Sequence, residues 1–439
     1  MLSVKSLSNS SRPLLLTLAL GLISAQAQAG SLANLYQRAL ENDPQLKSAA
    51  ASLQAGQEAL PQARAALLPE VIAGADANWV HTEKAGSNDS TGVTLTLSQS
   101  VFSAARWYNL RRGEVLSEQA GLVFDQDQQT LVLRSVSAYL AVLRAINNLD
   151  SAQAEVRAIQ RQLDQVNAQF EVGLIAITDV QEAQASYDNS VVRQIEAEGE
   201  LDNSYEALDR LAGSPFRSVD ALKPDYPVEN PTPADPQPWL EKAWQNNLGL
   251  MIADNSIEVA RRSAQSARAG HYPTLDLNAS YDSDTSSVSG FDTGDTRTIG
   301  LALRVPIFQG GLTSSQSREA EALLNKAMQD RQDTLLAVTQ QTRSLLRNLS
   351  TNVQSVKARA QSIRSSETAL QATQEGFNVG TRNVVDVLNA ERTLYSSQRD
   401  YANARLDFIS NLFSLKQQLG TLSPDDLNTL DAWLEAPKG

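Results

Sequence analysis

Two aspartates hold equivalent positions in the two halves of this 439-residue chain. Asp179 follows a turn that begins at Gly173, and Asp386 follows a turn that begins at Gly380. An acidic residue in the first turn of a helix stabilises it by ~0.3–1 kcal/mol through the helix dipole. The residues alone favour this role at helix starts without excluding another.

Other chemistry is poorly represented. The two histidines, His81 and His271, have no Ser/His/Asp or metal-ligand spacing around them, and the chain has no cysteine. We therefore predict no enzyme, no cofactor and no structural metal site. The formal net charge of -13 also argues against nucleic acid as a partner, because nucleic-acid binding requires a basic surface.

The N-terminus reads as an export signal. Lys5 and Arg12 precede the apolar run 14–23, and a small-x-small motif at 27–29 predicts cleavage there. An uncleaved anchor is the alternative, but the apolar run is shorter than the ~20 residues that span a bilayer. Because no later apolar run is long enough either, entry into a membrane would require β-strands in a closed barrel.

The turns that position the aspartates belong to a duplicated chain. Residues 170–173 (Phe-Glu-Val-Gly) recur as 377–380 (Phe-Asn-Val-Gly), and Pro69 and Pro273 are 204 residues apart. A nearly constant offset indicates an internal repeat. We assign a signal peptide, a first repeat, a proline-rich connector and a second repeat to residues 1–29, 30–222, 223–238 and 239–439.

Each repeat contains two alternating runs of apolar and polar residues. The four predicted strands are about 70–81, 91–102, 274–285 and 297–308. In each run the apolar positions share one parity, as in a strand with one apolar face, and the length of 10–12 residues suits a tilted membrane strand. A half-buried strand in a soluble sandwich is the alternative; the export signal favours the membrane.

Long proline-free segments follow the strands. We predict long helices over 103–212 and 309–420, a helix over 31–66, and a short C-terminal helix after Ser423. Gly173 and Gly380 should end the first long helix of each repeat in a left-handed conformation. Thr178 with Gln181 suggests a capping box at one restart, and Asn383 marks the other.

The number of strands constrains the assembly. Four strands cannot enclose a lumen, and the smallest barrels, which have about eight, are filled by side chains. Two copies would give such a filled barrel, whereas three copies would give twelve strands and leave a channel. The helices would then continue below the barrel as a hollow cylinder.

Several motifs occur in order at matching separations. They are Arg161-Gln162-Leu163-Asp164-Gln165, Val172-Gly173-Leu174, Ala176-Ile177-Thr178-Asp179-Val180-Gln181, Pro306-Ile307-Phe308-Gln309-Gly310-Gly311, Val379-Gly380-Thr381-Arg382 and Val385-Asp386-Val387-Leu388. With the strands, helices and duplication, the mature chain resembles the TolC family of trimeric outer-membrane exit ducts. It is more similar to the TolC branch than to the lipidated branch, which fits the absence of cysteine.

The resemblance implies a fold that is mainly α with a membrane β-barrel: duplicated strand-strand-long-helix-helix repeats whose trimer forms a 12-stranded barrel and an α-helical periplasmic tunnel. It implies an outer-membrane exit duct for type I protein secretion, multidrug efflux or both. The implied partners are a periplasmic adaptor protein, an inner-membrane ABC, RND or MFS transporter, and outer-membrane lipid. A soluble periplasmic coiled-coil adaptor without a pore is the alternative.

The resemblance also implies roles for residues at the tunnel tip. Asp386 would form the selectivity ring of the pore entrance, although Asn389 replaces the second Asp of the family. Links among Thr178, Asp179 and Arg382 would hold the entrance shut, with Phe377 in place of a family Tyr. The tips that would contact the adaptor are Gly173, Leu174, Gly380 and Thr381.

Overall fold

The computed structural model describes residues 31–83, 86–286 and 294–436. The predicted signal peptide, 1–29, lies outside these residues. The described chain is mainly helical, as predicted. Its helices are α1 Leu32–Asn42, α2 Pro44–Gln57, α3 Ala59–Ala65, α4 Ala104–Glu171, α5 Ile177–Ala212, α6 Gln237–Asn246, α7 Leu248–Arg268, α8 Leu312–Asn378, α9 Val384–Gln418 and α10 Pro424–Asp431. The strands are β1 Glu70–Thr82, β2 Gly86–Phe102, β3 Ala221–Leu222, β4 Thr274–Ser286, β5 Gly294–Arg304 and β6 Leu434–Glu435.

The N-terminal segment is not one helix over 31–66, as the sequence suggested, but three. Asp43 separates α1 from α2, and its side chain accepts a hydrogen bond from the backbone N of Leu46 at 3.0 Å. Pro44 begins α2, where its missing N–H costs nothing. Pro61 lies in the first turn of α3, and a proline there cannot bond back to the preceding helix, so the helix must restart.

The second repeat contains two helices that the sequence analysis missed. They are α6 and α7, which precede β4 as α1 to α3 precede β1. The proline-rich connector was drawn too long, because α6 begins at Gln237 and takes Pro238 into its first turn. The analysis also missed the short β3–β6 pair, which joins the end of the first repeat to the C-terminus.

The long helices pair into two hairpins. Helix α4 has 68 residues and α8 has 67, so each is ~100 Å long at 1.5 Å per residue. The sequence analysis found no later apolar run long enough to span a membrane, but one 18-residue stretch of α4 is apolar enough by composition and length, and half of it is buried in the protein. Packing against other helices therefore accounts for much of its apolar surface.

The four long strands form one antiparallel sheet in the order β1-β2-β4-β5. The strand register aligns the apolar parity of all four strands, since Val71 is opposite Leu97, Leu97 is opposite Ala279 and Ala279 is opposite Ile299. One face of the sheet therefore carries a continuous apolar band across all four strands. The last strand ends at Arg304 and not at 308, since Pro306 has no N–H to donate to a ladder.

The main core lies where α4, α5 and α9 meet the short terminal elements. Tyr139 of α4 is fully buried there, and its hydroxyl accepts a hydrogen bond from the backbone N of Asp220 at 2.7 Å. The far end of the hairpins has only a small apolar cluster of its own. This far end holds the predicted site residues.

Candidate pore entrance

Two glycine turns form the far end of the hairpins. The backbone at Gly173 has a φ of +75° and that at Gly380 has a φ of +78°, a region that glycine occupies without steric cost. After α4, the backbone N of Leu174 donates to the carbonyl O of Gln169 at 2.9 Å. After α8, the backbone N of Thr381 donates to the carbonyl O of Gly376 at 2.8 Å. The same left-handed closure thus ends both helices, as the sequence predicted.

The return helix α9 begins at a complete capping box. The Asn383 side chain accepts from the backbone N of Asp386 at 2.9 Å, and Asp386 Oδ2 accepts from the backbone N of Asn383 at 3.4 Å. Each side chain satisfies an N–H group that the helix leaves without a partner. Asn383 is therefore the helix start that the sequence indicated.

The capping box predicted from Thr178 and Gln181 is wrong. Helix α5 begins at Ile177, with Ala176 as its N-cap, so Thr178 lies inside the first turn. The carboxylate of Asp179 accepts from the backbone N of Ala176 at 3.3 Å. Because Ala176 has no side-chain oxygen, only this half of the motif forms. Asp179 thus repeats the backbone contact of Asp386.

The ion pair of Arg382 within the chain is with Asp386. Arg382 Nη1 lies 3.8 Å from Asp386 Oδ2, and the two side chains are 61% and 38% exposed. An exposed pair of this kind contributes roughly 0–1 kcal/mol. Among the ion pairs of the described residues, Arg382 is not joined to Asp179. The link to Asp179 and the links through Thr178 remain predictions.

An apolar cluster fastens the two hairpins together just above the turns. It includes residues from α4, α5 and α9: Ile159, Leu163, Val166, Ala183, Val384 and Leu388. Phe377, at the end of α8, packs against the same cluster. A phenyl ring therefore suits this position as a packing group.

The outermost residues of the turns are exposed. Gly173, Gly380 and Thr381 are exposed, and Leu174 retains 73% of its accessible surface. Val379 beside them is also 73% exposed. Apolar side chains at an exposed tip suit a surface that another protein covers.

The sequence analysis missed a layer of two buried carboxylates next to the cluster. Glu391 of α9 is 6% exposed and Glu155 of α4 is 8% exposed. Arg193 of α5 donates to Glu155 Oε1 at 2.6 Å. Burial raises the pKa of Glu391 to about 7, and the charge of Glu155 adds to this effect. A signal was present in the sequence, because Glu391 falls on the helical face of Val384, Val387 and Leu388.

The sequence comparisons identify a family. The profile of the family described as Outer membrane efflux protein matches residues 35–214 and 239–421. Outer membrane protein TolC of Vibrio cholerae serotype O1 is 37% identical over 97% of this chain and 99% of the relative. Proteases secretion protein PrtF of Dickeya chrysanthemi is 31% identical over 97% of this chain and 96% of the relative.

The fold has solved counterparts. The outer membrane protein VceC of Vibrio cholerae superposes with a TM-score of 0.78 at 20% identity, over 89% of this chain and 96% of that one. Fold and family are those of channel proteins, and the helical part of the molecule lies in the periplasm. By profile, by full-length identity and by fold, the chain belongs to the outer membrane efflux protein family.

Proposed function

We propose that three copies of this chain form an exit duct across the outer membrane, used for type I protein secretion and for efflux of small molecules. The outer-membrane duct is the role of its family. The family name supports efflux, and the name of the Dickeya chrysanthemi relative supports secretion of proteases. We propose no catalytic activity for this duct.

The exposed apolar face of the sheet carries this proposal. Ile299, Leu301 and Leu303 of β5 are 79%, 67% and 67% exposed, and Val93 of β2 is 55% exposed. An apolar face of this size is unusual on a water-soluble protein. The opposite face holds small polar residues such as Thr94, Thr96, Asn278 and Ser280, as expected for a water-filled lumen.

The edges of the sheet support closure into a barrel. Strands β1 and β5 each pair on one side only within the described chain, and they have 13 and 11 residues. Long edge strands invite pairing with another chain, and a barrel removes them. If β5 of one copy pairs with β1 of the next, three copies give a barrel of about twelve strands that leaves a channel.

The exposed apolar face also disfavours an adaptor without a pore. A soluble adaptor would bury the apolar face of its strands in a compact domain. Here the strand pairs β1–β2 and β4–β5 contribute to one apolar face that the described chain leaves exposed. The adaptor is instead expected to be a partner. The adaptor would contact the exposed tips at Gly173, Leu174, Gly380 and Thr381. An inner-membrane ABC, RND or MFS transporter would be the second partner.

Asp386 is proposed to line the narrow entrance of the trimer. Its carboxylate is partly exposed although it also caps α9, so the capping role and the ring role are compatible. Three such carboxylates would repel anions and attract cations. Asn389, one turn further along α9 and exposed, supplies no second ring of charge.

Two measurements test the proposed function. Native mass spectrometry of detergent-extracted protein is expected to give a trimer, and a stable monomer or dimer would contradict the barrel. Deletion of the gene is expected to reduce secretion of exported proteases and to increase sensitivity to toxic small molecules. If neither phenotype changes and a plasmid copy has no effect, the duct function is wrong.

A further inference from the structure

The two buried carboxylates near the entrance lie at the same level of adjacent, antiparallel helices. Helix α4 runs toward the tip and α9 runs away from it. The Ser151 hydroxyl of α4 donates to the backbone O of Tyr395 in α9 at 3.0 Å, which fixes the register of this pair. Glu155 follows Ser151 by four residues and Glu391 precedes Tyr395 by four residues. Each acid is therefore one turn from that bond and the two face each other.

This pair of acids, called here the acid layer, continues the apolar cluster of the tip. Glu155 precedes Ile159 by four residues on α4, and Glu391 follows Leu388 by three on α9, so each acid shares a helix face with the cluster. Both hairpins thus meet through apolar contacts below and two carboxylates above. A change in the acid layer acts directly on the contact between the hairpins.

The two carboxylates differ in their hydrogen-bond partners. Glu155 has the guanidinium of Arg193 at 2.6 Å, whereas no described group hydrogen-bonds Oε2 of Glu391, which is buried. A buried carboxylate without partners is costly when it is charged and tolerable when it is neutral. The geometry therefore favours a protonated Glu391.

Few charged groups can compensate Glu391. From α4 the charge of Arg161 acts on it favourably and that of Glu155 unfavourably. From α5, Arg193 is already bound to Glu155. The Tyr395 phenol lies one turn further along α9. Burial raises the pKa of Tyr395, and the charge of Glu391 raises it further.

The remaining charges nearby point to water. Arg392, the neighbour of Glu391 on α9, is exposed, and so is Arg157 of α4. Helix α8 also packs against α9, and its acids Glu367 and Glu375 are exposed as well. Ionisation of Glu391 thus leaves two buried negative charges, of which only that of Glu155 has a guanidinium bound to it.

We propose that the acid layer is a proton-operated latch: neutral Glu391 lets the α8–α9 hairpin pack against the α4–α5 hairpin, and ionised Glu391 loosens it. Burial raises the pKa of Glu391 to about 7, which agrees with this change of charge. The latch would therefore change state within the pH range of ordinary aqueous surroundings. It is a property of helix packing, so a test can read it without any transport assay.

Hydrogen–deuterium exchange of the detergent-solubilised trimer measures the latch directly. In the wild type, protection of the amides of residues 384–395, corrected for the intrinsic exchange rate, should fall about tenfold or more between pH 6 and pH 8.5. The variant Glu391→Gln keeps the size of the side chain and removes its charge, so its protection should not depend on pH. Glu367→Gln, which removes an exposed acid, should behave as the wild type.

A second variant keeps the test decisive if Glu391→Gln does not fold. Glu155→Gln removes the repelling charge and frees Arg193, so the midpoint of the transition should move to lower pH. The proposal is overturned if the wild type shows no transition, if Glu391→Gln retains it, or if Glu155→Gln leaves the midpoint unchanged.

Discussion

Placing a charge on the apolar face of the sheet tests whether that face meets lipid. Ile299 lies at the centre of β5 and is 79% exposed. Its neighbour Thr298 is also exposed and points to the opposite, polar face. An arginine at the bilayer midplane of a membrane barrel costs ~2–4 kcal/mol, and about 0–1 near the interfaces. We therefore expect Ile299→Arg to lose ~2–4 kcal/mol per chain, and Thr298→Arg to lose much less.

Refolding into lipid vesicles provides the assay. Both variants and the wild type would be diluted from urea into vesicles, and the folded fraction would be followed by resistance of the trimer to SDS at room temperature. A loss of 2–4 kcal/mol lowers the folding equilibrium constant by ~30- to 1,000-fold, because 1.4 kcal/mol is a factor of ten. If Ile299→Arg inserts as well as Thr298→Arg, the apolar face does not contact lipid and the barrel is assigned the wrong way round.

The remaining predictions concern the entrance. In planar bilayers, block by a trivalent cation from the periplasmic side should vanish in Asp386→Asn and strengthen in Asn389→Asp; unchanged block in Asp386→Asn would leave this residue as a helix cap only. Arg382→Ser or Asp179→Ala should raise single-channel conductance, and no rise in either variant would place the closing contacts elsewhere. Burial raises the pKa of Glu391 to about 7 from 4.5, so the folded protein binds the extra proton and its stability should fall as pH rises from about 4.5 to 7. Glu391→Gln should then be more stable than the wild type by about 3 kcal/mol at pH 8 and equally stable at pH 4, as measured by urea unfolding; equal stability at pH 8 would contradict the assignment.

Local rules explain the part of the fold that the sequence predicted. A strand with one apolar face must repeat with a period of two, and the glycines after the long helices adopt a backbone region that other residues avoid. Both signals are visible without knowing any partner. The strands and the turns at Gly173 and Gly380 were therefore recognised, with errors of a few residues at the strand ends.

The missed helices fall where local signals conflict. The segment 237–268 follows a run of prolines, and Pro238 within it suggested a connector, although a proline is readily accepted in a first helical turn. Thr178 gave the opposite error. It is a good capping residue and was predicted to begin the helix, but it is the second residue of α5. Competing local preferences of this kind are decided by the packing of the rest of the chain.

The sequence by itself determined the duplication, the apolar parity of the strands and the family of channels. It also predicted the export signal. The tertiary structure alone decided which distant side chains meet: that Phe377 packs into the tip cluster, and that Glu155 faces Glu391. The physical reason is distance along the chain. Periodicity reports the face of one helix, whereas a contact between residues more than 200 positions apart depends on the register of two long helices, which the packing of both hairpins sets.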